Sequence, residues 1–295
     1  MGNREMLARG YRLHSETGTV RDRRHRRARV LTIANNKGGV GKSTTVVNLA
    51  AELASRDYRV LVVDLDSQGH AGRGLGRVAR TRSVTVHDVL RRLDASLEDG
   101  VVETLDPGVD LLPADGNFDG DVHVSDPCRL ARALDEIVWH YDVVLIDTPP
   151  SVPRLLVAAL MASEAVLIPA LLDDLSIDGV TRFMRTFHEV VTGHNAALGT
   201  ALIVPMRVDT RSALQRAALD ELGRRFGRDR VSAGIRIDIG LSEAFARRRP
   251  LRAFRRASRA VADFADLADQ VLRLLGEELI RMPAPDEVAA VETTD

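Results

Sequence analysis

Nine consecutive residues, Asn36-Lys37-Gly38-Gly39-Val40-Gly41-Lys42-Ser43-Thr44, carry the clearest chemistry in the chain. Three glycines within four positions let the backbone curl so that successive N–H groups point into one concavity. Opening onto a helix N-terminus, such a concavity holds phosphate. Lys42 adds a mobile positive charge for the β and γ oxygens, and Ser43 a hydroxyl for Mg2+. The stretch reads as a cradle for a nucleoside triphosphate, with Lys37, Gly38, Gly39, Val40, Gly41, Lys42, Ser43 and Thr44 as its contacts. Against the usual G-x-x-x-x-G-K-[ST] pattern, Asn36 stands at the first glycine and Lys37 follows at once. One lysine already serves the loop's own nucleotide, so Lys37 is available to a neighbouring molecule.

Two apolar runs end in carboxylates. Tyr58-Arg59-Val60-Leu61-Val62-Val63-Asp64-Leu65-Asp66 reads as a strand buried on both faces, followed by a turn at Ser67-Gln68-Gly69. Tyr141-Asp142-Val143-Val144-Leu145-Ile146-Asp147 is a second, closing on Thr148-Pro149-Pro150. Ligands of open parallel sheets collect at the carboxyl ends of strands, which would bring Asp64 and Asp66 beside the phosphates. An apolar strand with a terminal aspartate such as Asp147 is what a Walker B element needs, because that carboxylate must reach the magnesium shell.

The elements that position these groups alternate. A strand at Val30–Ala34 and a helix at Thr45–Ser55 flank the loop, and after Asp66 comes a mixed helical and loop excursion over 70–107. The pattern then predicts a strand at Val109–Pro113 and a helix from Asp126-Pro127 to His140, with Leu130, Leu134 and Ile137 on one face. Beyond Asp147 it predicts helices near 152–161, 177–191 and 211–226, and strands at 165–169, 200–204 and 231–235. In the 211–226 helix, Leu214, Ala218, Leu219 and Leu222 face inward. A short helix from Leu241 and an amphipathic one through Val261–Leu275 close the chain. Strands alternating with helices of ten or more residues indicate an α/β fold, a doubly wound and mostly parallel sheet flanked by helices.

Composition narrows the setting. The 295 residues, 45% hydrophobic and 28% charged, are enough for one large α/β domain with tails. We expect a basic arm at 1–28, a catalytic domain at 29–281 and an acidic, disordered tail at 282–295. The formal net charge of −1 conceals local runs: nine arginines within residues 1–30, and seven between Arg247 and Arg259 with no acid among them. A single cysteine, Cys128, forms no intrachain disulfide and argues for a reducing cytosol. No apolar run reaches the roughly 18–20 residues that span a bilayer, and the N-terminus lacks the apolar core of a secretory signal.

With Lys37-Gly38-Gly39-Val40-Gly41-Lys42-Ser43-Thr44, Asp64-x-Asp66-x-Gln68-Gly69, Ile146-Asp147-x-Pro149-Pro150-Ser151 and Leu241-Ser242-Glu243-Ala244 in order, the chain resembles the ParA family of partition ATPases. This is part of the deviant Walker group that includes MinD. The resemblance runs from about Arg29 to Leu275. It implies ATP and Mg2+ as cofactors and an ATP-bound sandwich homodimer in which Lys37 reaches the partner's phosphates while Lys42 acts on its own. Ser43 would ligate Mg2+, with Asp64 and Asp147 holding coordinated water, and Asp66 would orient the attacking water. These roles rest on positioning and electrostatics rather than a covalent nucleophile. At the end of the 200–204 strand, Pro205 and Met206 are candidate walls for the adenine.

The resemblance also implies sequence-independent binding to nucleoid DNA by the ATP-bound dimer and stimulation by a ParB-type centromere-binding partner. The cargo would be a plasmid, a chromosome or another large body, and the location cytoplasmic and nucleoid-associated. Arg211 lies where relatives carry a DNA-contacting arginine. Arg216 and the run Arg247, Arg248, Arg249, Arg252, Arg255 and Arg256 would widen that surface; surface ion pairing is the competing reading. Ser67 stands where relatives usually have proline, which loosens the turn after Asp66, and the basic arm is too short for a winged-helix domain. A MinD-like membrane ATPase is the alternative, but it needs a basic amphipathic C-terminal helix, whereas this chain ends Pro283-Ala284-Pro285-Asp286-Glu287. A redox ATPase needs two cysteines per subunit, and a non-hydrolysing nucleotide switch follows if Ser67 misplaces Asp66.

Overall fold

The computed structural model describes residues 27–276 except 77–83, 92–94, 119–125 and Ser151. The N-terminal basic arm up to residue 26, the acidic tail and the end of the domain expected at 281 lie outside the described residues.

In chain order the first half runs β1 (Arg29–Ile33), α1 (Lys42–Ala54), β2 (Val60–Asp64), α2 (His70–Gly74), α3 (Val86–Arg91), β3 (Val102–Glu103), β4 (Val109–Leu112) and α4 (Arg129–Leu134). It continues with β5 (Val143–Asp147), α5 (Pro153–Met161), β6 (Ala165–Leu171), α6 (Asp174–Gly193) and β7 (Thr200–Val208). The last part is α7 (Ala213–Phe226), β8 (Ile235–Arg236), α8 (Ile239–Ala246), α9 (Leu251–Phe254) and α10 (Arg259–Leu274). The strands form one sheet in the order β3-β4-β2-β5-β1-β6-β7-β8, parallel except for the β3–β4 pair.

Side chains alternate across the sheet, as a period of two requires. Leu31, Ile33, Val60, Val62, Val143 and Leu145 pack on the side of α1 and α10. Val30, Leu61, Val63, Val144 and Ile146 face α3, α4 and α5 on the other. Every residue of β2 and β5 is buried, which explains their uninterrupted apolar sequence. This is the doubly wound, mostly parallel sheet expected from the alternation.

Several elements depart from expectation. The helix predicted to His140 ends at Leu134, because Glu136 and Ile137 donate to carbonyls only three residues back and Val138–His140 closes as a 3-10 turn that feeds the chain into β5. Leu130, Leu134 and Ile137 are nonetheless all buried. Val231 makes only an isolated bridge to Ile203, and Gly234 at φ +84° separates it from β8, so no strand spans 231–235. Leu214, expected inward, is 83% exposed on the first turn of α7, where only Leu222 is fully buried. β7 runs four residues past the strand end expected at Val204. β3, an antiparallel edge strand only two residues long, carries no sequence pattern.

Candidate functional site

The site forms where three parallel strands end at one level. Ile33 of β1 is the register partner of Asp147 on β5, and Asp147 is in turn the partner of Asp64 on β2. The loop leaving β1 therefore starts beside both carboxylates. Its first turn is held by Asn35, whose Nδ2 donates to the Pro169 carbonyl at 2.7 Å and whose Oδ1 accepts the Lys37 amide at 3.0 Å. Gly39 and Gly41 take left-handed φ values of +73° and +97° that a side chain would resist. A Cβ on Gly41 would also lie 2.8 Å from Met206 Cε. Thr45 then closes the first turn of α1 by donating both its amide and its hydroxyl to the Gly41 carbonyl.

Lys42 opens α1 and is only 7% exposed. Its Nζ donates to the Lys37 carbonyl at 3.0 Å, drawing the amine across the loop. Burial lowers its pKa, while the charges of Asp147 and Asp66 pull it back up. Asp147 is fully buried, and among the described residues the Ser43 hydroxyl is placed to donate to its carboxylate but closes no well-formed hydrogen bond there. Burial first, then the charge of Asp64, hold its pKa well above the ordinary carboxylate value; Ser43 and Lys42 oppose them. Asp64 accepts the Asp66 and Gly72 amides, yet burial still pushes it up to about 7.

Two buried carboxylates that resist ionisation, one of them held by no well-formed hydrogen bond, suit a nearby divalent cation, which would supply the missing positive charge. Among the described residues no three His, Cys, Asp or Glu side chains gather as a protein-only metal cage. Mg2+ keeps several waters and takes one or two carboxylates plus the phosphates of its nucleotide, which is the kind of donor set that Asp64, Asp147 and Ser43 offer here. Ser43, half-buried at the start of α1, brings its hydroxyl to the Asp147 carboxylate.

Asp66 is 8% exposed, and its Oδ1 accepts the Gln68 amide at 3.0 Å while its carbonyl accepts the Gly69 amide. Gly69 turns the chain at φ +62° into α2. The Leu241-Ser242-Glu243-Ala244 segment lies in α8, whose next residue, Phe245, meets His70 of α2 edge-on at 6.1 Å. Those two motifs, far apart in sequence, thus pack together.

Lys37 does not point at its own cradle. Its Nζ lies 3.1 Å from Ser176 Oγ and 3.4 Å from Asp173 Oδ1, at the N-terminus of α6 where Asp173 caps the helix. Leu175 between them is 72% exposed. Asp173 and Ser176 escaped the sequence reading, although D-x-x-S ahead of an apolar helical pattern is a capping signature. Asn35 escaped it too; an asparagine before a glycine-rich loop has no distinctive spacing.

Pro205 and Met206, expected as adenine walls at a strand end, lie inside β7 and are both buried. Met206 sits under the phosphate loop, against Gly41 and with Thr45 Oγ1 at 3.7 Å from its sulfur. Pro205 packs under Gly234. A shallow cleft of about 430 Å3 between α6 and α7, lined by Thr181, Met184, Arg185, His188, Glu189 and Phe226, shares no residue with the phosphate loop.

The arginines divide into two groups. Arg211 is 89% exposed but paired with Asp209 at 3.1 Å, and Arg216 donates to the Thr210 carbonyl. Asp209 also feels the charge of Arg259 at the head of α10. Within the run, Arg252 pairs with Glu52 of α1 at 2.9 Å and Arg255 with Glu243 of α8 at 2.8 Å. The run holds no acid of its own, yet two of its members are engaged by acids from other helices. Arg247, Arg248, Arg249 and Arg256 are exposed.

Residues 28–200 match the family described as AAA domain. The chain is 37% identical over 223 residues to the chromosome partitioning protein ParA of Caulobacter vibrioides, covering 73% of this chain and 83% of that one. It is 34% identical to the sporulation initiation inhibitor protein Soj of Bacillus subtilis, over 82% of this chain and 98% of that one. Among solved structures, cobyrinic acid a,c-diamide synthase from Mycobacterium smegmatis with bound ADP and magnesium superposes with a TM-score of 0.73 at 31% identity. The match covers 88% of this chain and 99% of that one.

Proposed function

The chain belongs to the ParA family of partition ATPases, and from that premise we propose that it binds ATP with Mg2+, pairs with a second copy, and hydrolyses the nucleotide to leave DNA. The observation that carries this reading is the fully buried Asp147 carboxylate, held by no well-formed hydrogen bond and aligned with Asp64 at the mouth of a glycine-rich loop that holds Lys42. When bound, the Mg2+ ion screens the β and γ phosphate charges. Ser43 would contribute a ligand oxygen to it, and Asp64 and Asp147 would hold its coordinated water. Loop amides and Lys42 cradle the phosphates, and Asp66 orients the water that attacks, with the developing charge met by fixed donors.

Lys37 completes the partner's site. In the single chain it is held at the helix α6 edge, 36% exposed, beside an exposed leucine, as a residue that reaches across an interface would be. The paired surface carries Arg211, Arg216 and the exposed arginines of the 247–256 run to DNA without sequence preference. A ParB-type partner stimulates turnover, and the cycle positions a plasmid, chromosome or other cargo on the nucleoid in the cytoplasm. No described helix is long and apolar enough to cross a membrane.

Phosphate release by the full chain tests this, measured with Mg-ATP alone, with non-specific duplex DNA, and with DNA plus the cognate DNA-binding partner. Slow release that rises with DNA and partner, and vanishes in Asp66→Ala, is the expected result. ATP-dependent DNA binding with no phosphate released under any condition supports the second reading, a non-hydrolysing switch. Ser67 in the turn after Asp66 favours that reading, because it leaves Asp66 less firmly placed. ATP-dependent sedimentation with anionic vesicles instead of DNA would favour a membrane-bound positioning ATPase.

A further inference from the structure

His87 on α3 is fully buried and belongs to none of the motifs above. Its Nε2 lies 3.2 Å from the Leu65 carbonyl, and its Nδ1 accepts the Asp115 amide at 3.0 Å. Those two partners fix the neutral tautomer with the proton on Nε2. Burial, with Arg91 nearby, lowers its pKa to about 4 against the opposing Leu65 carbonyl, Asp115 and Asp88.

The ring is held on every side. It stacks on Phe118 at 3.8 Å and 8°, Arg91 lies over the Phe118 ring at 5.1 Å, and Arg91 pairs with Asp115 at 3.1 Å. The Val86 amide donates to the Pro113 carbonyl at 3.0 Å, so α3 and the 113–118 loop form one unit. What that unit grips is the residue before Asp66. Leu65 donates its amide to the Asp147 carbonyl at 2.9 Å and gives its carbonyl to His87. The peptide leading into the Asp66 turn is therefore anchored from both sides.

We propose that His87 is a positioning residue for Asp66: by clamping the Leu65 carbonyl to the 113–118 loop, it holds still a turn that Ser67 does not stiffen. The kinetic part of this rests on the hydrolytic reading above; the clamp itself does not. His87 touches neither nucleotide nor attacking water, and acts only through the backbone.

Hydrogen exchange and steady-state kinetics on the full chain test it with three variants. His87→Leu keeps volume but loses both hydrogen bonds, His87→Gln can both donate and accept, and Phe118→Leu removes the stacking face. In His87→Leu, amides 65–69 should exchange about tenfold faster, the effect of unpairing a buried carbonyl and amide. Its kcat should fall by about tenfold with KM for ATP held within about twofold. His87→Gln should recover most of both, and Phe118→Leu should lie between.

Unchanged exchange over 65–69 in His87→Leu overturns the proposal. So does faster exchange without a kcat loss in a protein whose wild type hydrolyses ATP. If His87→Leu does not fold, Phe118→Leu decides, with unchanged exchange over 65–69 again fatal. If the wild type releases no phosphate, the hydrolytic reading fails on its own while exchange still judges the clamp.

Discussion

Asp64 and Asp147 are register partners at the carboxyl ends of β2 and β5, 1% and 0% exposed, so two acids face each other across adjacent strands with almost no water. Burial first and then the charge of Asp64 raise the pKa of Asp147, while Asp64 is raised by burial and, more weakly, by the charge of Asp66. A pair of this kind is a liability to folding and an asset to cation binding. Asp147→Asn keeps the shape and removes the charge. We expect the nucleotide-free protein to gain about 1–2 kcal/mol at pH 8 by urea denaturation, and Mg2+-dependent ATP affinity to drop. Gain in stability with unchanged Mg2+ dependence would move the metal away from this pair.

Lys42 and Lys37 should separate cleanly. Lys42→Ala removes a buried cation from the loop and should weaken ATP binding by about 100-fold or more in a fluorescent-nucleotide titration. Lys37→Ala should leave that affinity nearly intact but abolish ATP-dependent dimers in light scattering. Its contacts to Asp173 and Ser176 are partly exposed, and such pairs contribute about 0–1 kcal/mol, so release costs little. A Lys37→Ala protein that still dimerises with ATP would remove its cross-subunit role.

Gly41 bears two independent constraints, a left-handed φ of +97° and a hypothetical Cβ 2.8 Å from Met206 Cε. Gly41→Ala should therefore lose about 1–3 kcal/mol of stability and most nucleotide binding. Adding Met206→Ala opens the space without changing φ, so calorimetry of the double variant should show only partial recovery. Full recovery would mean that crowding alone required the glycine.

The parts read correctly from sequence are those written as local patterns. Uninterrupted apolar runs identified β2 and β5 because both faces are covered, and the glycine spacing marked the loop between β1 and α1. Tertiary packing decided the remainder. Leu214 fits the helical period of α7, yet it stands 83% exposed on the first turn of that helix. Arg252 looks like a free cation in a basic run until Glu52, two hundred residues earlier, is brought against it. His87 acts through Leu65 and Asp115, and Asp173 and Ser176 meet Lys37, contacts that no spacing reveals.

His87 also makes a pH prediction. Its folded pKa of about 4 lies below the ordinary 6.5, so the native state binds fewer protons than the unfolded chain between those values. Its contribution is complete above pH 6.5 and is lost as pH falls toward 4, by at most about 3 kcal/mol. Carboxylates titrate in part of this window, so the measurement is a difference: urea stability of wild type minus His87→Gln at pH 7.5, 6 and 5. The difference should shrink steadily with acidity; a constant difference would mean that His87 titrates normally.

The arginines should divide by what they touch. Arg252 anchors to Glu52, which is 5% exposed at its side chain, so Arg252→Ala leaves a buried carboxylate with only Arg56 and should cost about 1–2 kcal/mol of stability. Its effect on DNA retention should be small. Arg211 gives up only a solvent-screened surface pair with Asp209, so Arg211→Ala should leave the urea midpoint unchanged. Its DNA affinity in the presence of ATP should fall equally for unrelated duplexes, with the salt slope reduced by about one. The same holds for Arg248, Arg249 and Arg256, whose side chains are exposed. A salt titration of all five variants on two unrelated duplexes distinguishes the groups. If Arg252→Ala flattens the salt slope while Arg211→Ala does not, the DNA surface lies over α1 and α9 rather than at the α7 end.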